Sequence, residues 1–139
     1  MRNSTTRRDF LKISGAGIGA ALAAKDASAE ETAKPLTLPL ECAGKDCSLL
    51  RGKPQTYGMR SGFVRLSPGE TIGWHSTGKY EETLVILSGQ GEAQLKTGKG
   101  MPFAAPHLVY YPPATEHNVL NTGQKELEYV YVVAPAVTE

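Results

Sequence analysis

From residue 56 onward the chain sustains no apolar spacing of three, four and seven residues. It repeats short apolar runs instead, each broken by Gly, Pro or Asn. That rhythm excludes long helices and predicts an all-β domain of short strands. The runs cover 56–60, 63–67, 71–75, 83–87, 92–97, 108–111, 117–120 and 127–134. Between them stand Ser67-Pro68-Gly69, Ser88-Gly89-Gln90-Gly91, Thr97-Gly98-Lys99-Gly100, Pro112-Pro113 and Asn121-Thr122-Gly123, all turn chemistry. Gly89-Gln90-Gly91-Glu92 reads as a hairpin turn and not as a phosphate loop, because no helix follows. Some eight antiparallel strands predict a double-sheet jelly roll or a small barrel. Leu84-Val85-Ile86-Leu87 is apolar on both faces, as expected between two layers or under a partner chain.

Upstream the composition changes. Residues 30–55 are polar and contain Pro35, Pro39 and Pro54, which predicts an arm with one short strand at 36–40. Residues 1–29 read as a cleavable export signal. Arg2, Arg7, Arg8 and Lys12 precede a mild Gly/Ala-rich apolar stretch, and Ala27-Ser28-Ala29 offers a small-x-small cleavage pattern. Gly15, Gly17 and Gly19 argue against a stable helix of the mature protein, each costing up to about 1 kcal/mol. Thr6-Arg7-Arg8-Asp9-Phe10-Leu11-Lys12 resembles the twin-arginine motif, which implies the twin-arginine export machinery as a partner and a periplasmic or otherwise exported destination. Such substrates fold before export, often with a metal loaded. The expected organisation is thus a signal at 1–29, an arm at 30–55 and a β-domain at 56–139.

Charge excludes some partners. The whole chain has 15 Lys and Arg against 14 Asp and Glu, a net +1. Without the signal, residues 30–139 carry two more acidic than basic side chains. Neither balance leaves a footprint for nucleic acid or an anionic membrane surface. No apolar run approaches the roughly 20 residues of a membrane-spanning helix. Cys42 and Cys47 both fall in the arm, and in an oxidising compartment a local disulfide is the default.

There are three histidines, His75, His107 and His117. Gly69, His75, Glu82 and Gly89 stand at the positions of the first motif of the cupin superfamily, with Thr77 where a second His is usual. Pro112, His117 and Asn121 resemble its second motif, with Ala114 and Pro106 in place of two glycines. The resemblance spans about residues 58–134. It implies a double-stranded β-helix, or jelly-roll barrel, with His75, Glu82 and His117 as metal ligands. Side chains two apart on a strand share a face, so His75 and position 77 point the same way, and Glu82 begins the next strand of a hairpin. Two imidazoles and a carboxylate suit Mn, Fe, Co, Ni, Cu or Zn. Thr77 is a poor ligand, so a water is expected in the place of the missing His.

Other residues weigh less. Glu81 can substitute for Glu82, and Glu81 or a cavity Tyr is a candidate acid/base. His107 is expected in an exposed turn. Trp74 is expected in the core or at a dimer interface; Tyr110 and Tyr111 alternate faces, so one can line the cavity, with core packing the favoured reading. Arg60 and Arg65 are expected as surface charges, and as anion contacts only if they face inward. The resulting reading is an exported small cupin holding a divalent transition metal and acting on a small organic molecule, its catalytic residues unassigned. The alternative is a non-catalytic metal-holding or small-ligand-binding domain, metal-free if Thr77 weakens the site too far. The resemblance also implies a homodimer, which the doubly apolar run at 84–87 fits.

Overall fold

The computed structural model describes residues 32–137 of the chain. The export-signal reading, including Arg7 and Arg8, lies outside the described residues. Nine strands follow in order: β1 (Asp46–Arg51), β2 (Arg60–Leu66), β3 (His75–Ser76), β4 (Tyr80–Ser88), β5 (Gln90–Leu95), β6 (Met101–Ala104), β7 (His107–Tyr111), β8 (Glu116–Asn121) and β9 (Leu127–Pro135). They form two antiparallel sheets, one in the order β1-β2-β9-β4-β7 and one in the order β3-β8-β5-β6. The all-β expectation holds, and among the described residues no helix is long and apolar enough to cross a membrane.

Alternation builds the core. On β4, Glu82, Leu84 and Ile86 are buried, while Val85 and Leu87 face out. Leu84 and Ile86 pack with Val64, Leu66, Val109 and Tyr129 of the same sheet and with Ala93, Phe103 and Val119 of the other. Each fully buried aliphatic side chain contributes about 1.5–3 kcal/mol. The run at 84–87 is therefore sandwiched on one face only. Its other face, beside Leu108 and Tyr110 of β7, is open.

The turns correct several expectations. β4 and β5 do not form a hairpin; they belong to different sheets, and Gly89 is the corner between them. Its φ is 87°, and a Cβ there would lie 2.6 Å from the Glu126 carbonyl oxygen, so only glycine fits. Nor do His75 and Glu82 share a hairpin: β3 pairs with β8 in the four-stranded sheet, and β4 lies in the five-stranded one. No strand forms at 36–40, where Leu36, Leu38 and Leu40 are exposed. Residues 56–58 form a bend, not a strand. The Thr56 hydroxyl donates to the Met59 carbonyl and accepts from the Gly58 amide, a local pairing that competes with a strand.

Two edge strands escaped the sequence pattern. β1 is polar and half exposed, and β6 contains Pro102, which an edge position tolerates. β1 brings the arm onto the sheet beside β2. The Cys42–Cys47 disulfide is formed, with Cys47 on β1 opposite Phe63. Arg65 of β2 donates to the Cys42 carbonyl oxygen at 3.0 Å.

Candidate metal centre

The two sheets converge on one point from opposite sides. His75 and His117 face each other in register across β3 and β8, with ring centroids 4.2 Å apart. Glu82 comes from β4 of the other sheet. Its Oε2 lies 3.0 Å from His117 Nε2 and 3.9 Å from His75 Nε2. All three expected ligands are thus brought together within 4.8 Å. Glu81 cannot replace Glu82, because strand alternation sends it to the opposite face of β4.

The donor set fits a divalent ion. His75 Nδ1 contacts the Gly73 carbonyl oxygen at 2.8 Å, and His117 Nδ1 contacts the Thr115 carbonyl oxygen at 3.0 Å. A carbonyl only accepts, so each Nδ1 carries a proton, and each Nε2 is the ring nitrogen turned toward Glu82. A carboxylate oxygen 3.0 Å from an imidazole lone pair needs a proton or a cation between them. Two ligands of one ion stand no more than about 4.4 Å apart, twice the usual bond length, and both Glu82 contacts fall inside that span.

The orienting carbonyls are themselves held, each by the other histidine's strand. Thr77, just beyond β3, accepts from the Thr115 amide at 3.0 Å and so fixes the carbonyl that orients His117. Asn118 of β8 accepts from the Gly73 amide at 2.9 Å and fixes the carbonyl that orients His75. Gln94 in turn accepts from Asn118 at 2.8 Å. Thr77 is buried and also donates to the Pro112 carbonyl oxygen at 2.7 Å, so its hydroxyl is spent on the backbone. This corrects the expectation that position 77 faces the metal position beside His75: Thr77 lies beyond the two-residue strand and braces the opposite ligand.

The surroundings are unequal. His117 is 1% exposed and stacks on Tyr111, with centroids 3.8 Å apart. Burial, and then the Glu82 carboxylate, push the Tyr111 hydroxyl above its ordinary range, and that hydroxyl is buried without a hydrogen bond. His75 is 44% exposed and opens onto a cavity of about 410 Å³. Trp74, Arg60, Asp46, Tyr129 and Tyr131 line the same cavity. Trp74 is half exposed with the Lys96 ammonium 4.9 Å above its ring, so it is neither core nor sealed in the fold. Arg60 is exposed, as expected of a surface charge, and also borders this cavity. Arg65 behaves as expected, pairing with Glu126 and Glu128. His107 is exposed at the start of β7 and remote from the cluster.

Sequence reasoning placed one of Tyr110 and Tyr111 inward, and Tyr111 is the one. It missed Asn118 and the role of Thr77, which no spacing rule could supply.

Comparison with known proteins agrees with this fold. An oxalate-binding protein of Thermotoga maritima is 30% identical over 70 residues, covering 50% of this chain and 57% of that protein. The chain thus spans little more than half the length of this curated relative. A solved structure from Bacillus halodurans superposes with a TM-score of 0.65 at 18% identity, covering 79% of this chain and 88% of the other. A cupin family protein with a double-stranded β-helix fold from Methanocaldococcus jannaschii gives 0.59 at 19% identity, covering 73% and 91%. Residues 62–133, half of the chain, match the cupin domain family (Cupin_2). That match starts in β2 and ends in β9, the stretch that builds both sides of the centre, and the chain belongs to the cupin domain family.

Proposed function

We propose that this protein is an exported cupin that holds a divalent transition metal through His75, Glu82 and His117 and presents it to a small organic acid in the adjoining cavity. The carrying observation is the pair of Nδ1-tethered imidazoles with both Nε2 atoms turned on one buried carboxylate. When bound, the metal supplies Lewis acidity toward an oxygen ligand. The chain supplies the rest. Glu82 and His117 anchor from the buried side, and His75 borders the cavity through which a ligand reaches the centre. The open cavity beside His75 supports ligand binding over a metal sealed in the fold. The oxalate-binding relative supports a carboxylate as the ligand class. Export rests on the motif at 6–12, and a disulfide in the arm suits an oxidising compartment.

Metal analysis of protein purified with its own signal tests this reading, with His75→Ala and His117→Ala beside it. One equivalent of transition metal is expected in the wild type and little in either variant. Equal, near-zero metal in all three overturns it.

A further inference from the structure

We propose that Arg60 is the anion-binding end of the cavity and selects organic carboxylates for the His75–Glu82–His117 centre. This rests on the reading of that centre as the ligand site. On β2 the buried residues at 62, 64 and 66 share a face with Arg60, which is exposed at the rim of the cavity. Register places it more closely. Arg60 lies opposite Val133, Val133 opposite Glu82, and Glu82 opposite Tyr111. Arg60 is thus in the cross-strand row of Glu82, two strands away, with the two backbones about 10 Å apart.

Among the described residues no carboxylate pairs with Arg60 and no hydrogen bond engages its guanidinium. The group lies over the Tyr80 ring, 4.7 Å from its centroid, which holds it without using its N–H donors. The acid of the cavity, Asp46, stands opposite Val64, four residues from Arg60 and about 13 Å away along the strands. Arg65, on the same strand with the other parity, shows the contrast: Cys42 and two glutamates engage it.

The space beside Arg60 is built. Tyr131 lies against Gly62, where a Cβ would come within 2.5 Å of its ring, so β2 presents no side chain between Arg60 and Val64. Arg60 is the one lysine or arginine of the cavity lining, and its single charge matches a carboxylate end better than a phosphate dianion. A guanidinium fork matches a carboxylate through two parallel N–H···O bonds.

Trp74 is the chain's one tryptophan and lines the cavity, so its emission reports occupancy. Full-length protein is titrated with succinate and with neutral succinamide, each with and without added Mn2+. Succinate is expected to saturate, with succinamide at least tenfold weaker. Arg60→Gln is expected to weaken succinate tenfold or more, leave succinamide unchanged, and leave metal content and circular dichroism as in the wild type. Arg60→Lys recovers part of the loss. An unchanged succinate affinity in Arg60→Gln, equal binding of succinamide, no succinate response in the wild type, or displacement by equimolar inorganic phosphate would each overturn the assignment. An Arg60 effect in a protein that takes up no metal leaves this assignment standing and removes the metal reading alone.

Discussion

The two histidines of the centre sit in register on neighbouring strands, yet they live in different environments. His117 occupies a six-residue strand, is buried, stacks on Tyr111 and lies 3.0 Å from Glu82. His75 occupies a two-residue strand, is 44% exposed and lies 3.9 Å from the same carboxylate. One side of the centre is built into the core, and the other borders the cavity. The difference teaches how one site can hold an ion firmly and still admit a ligand. The rigid half bears the cost of burying charge, and the open half carries access.

Removing the buried half has the largest expected effect. His117→Ala leaves Glu82 buried without its partner and should cost about 3–5 kcal/mol of stability, measured by chemical denaturation. A loss below about 1 kcal/mol would show that the two halves are alike. Next come the braces. Thr77→Val removes the acceptor that holds Thr115 and should cost about 1–3 kcal/mol, together with roughly 10–100-fold in metal affinity. Asn118→Ala should lower metal affinity through His75 in the same way, read by competitive metal titration. His75→Ala should abolish metal binding yet, with both proteins metal-free, change stability by less than about 1 kcal/mol, because the side chain is exposed and its carboxylate contact is long.

The smallest expected effect is a gain. Ala114 has φ of 56°, the left-handed region, on the turn that leads into the buried half. The cupin motif has glycine there. Ala114→Gly should stabilise by up to about 1 kcal/mol in the same denaturation assay, part of the relief being offset by the looser unfolded chain.

A pH series sharpens the comparison from the buried side. Burial, and then the Glu82 carboxylate, raise both Tyr111 and Tyr129 above the ordinary value of 10.0. The folded state therefore keeps protons that the unfolded chain releases. Stability should hold below pH 10 and fall as pH rises beyond it, and Tyr111→Phe should flatten that fall.

Much of the site was legible because its signals are local. The spacings of His75, Glu82 and His117 survive as text, and the Gly/Pro rhythm marked most strands. What failed was pairing. Glu82 was expected on a hairpin with His75, but only the long-range order β3-β8 and β4-β9 places them on facing sheets. Arg60 illustrates the same limit: alternation says that it shares a face with Val64, but not which face is the interior.

By itself the sequence determined the fold class, the three residues that meet at the candidate centre and the cysteine pair, because strand period, turn chemistry and motif spacing act over a few residues. The tertiary structure alone decided that Thr77 braces the opposite histidine, that His75 opens to a cavity while His117 is sealed, and that Arg60 borders that cavity. Those outcomes depend on which distant strands pair and in what register, and a register is set by the joint burial of both sheets rather than by any one segment.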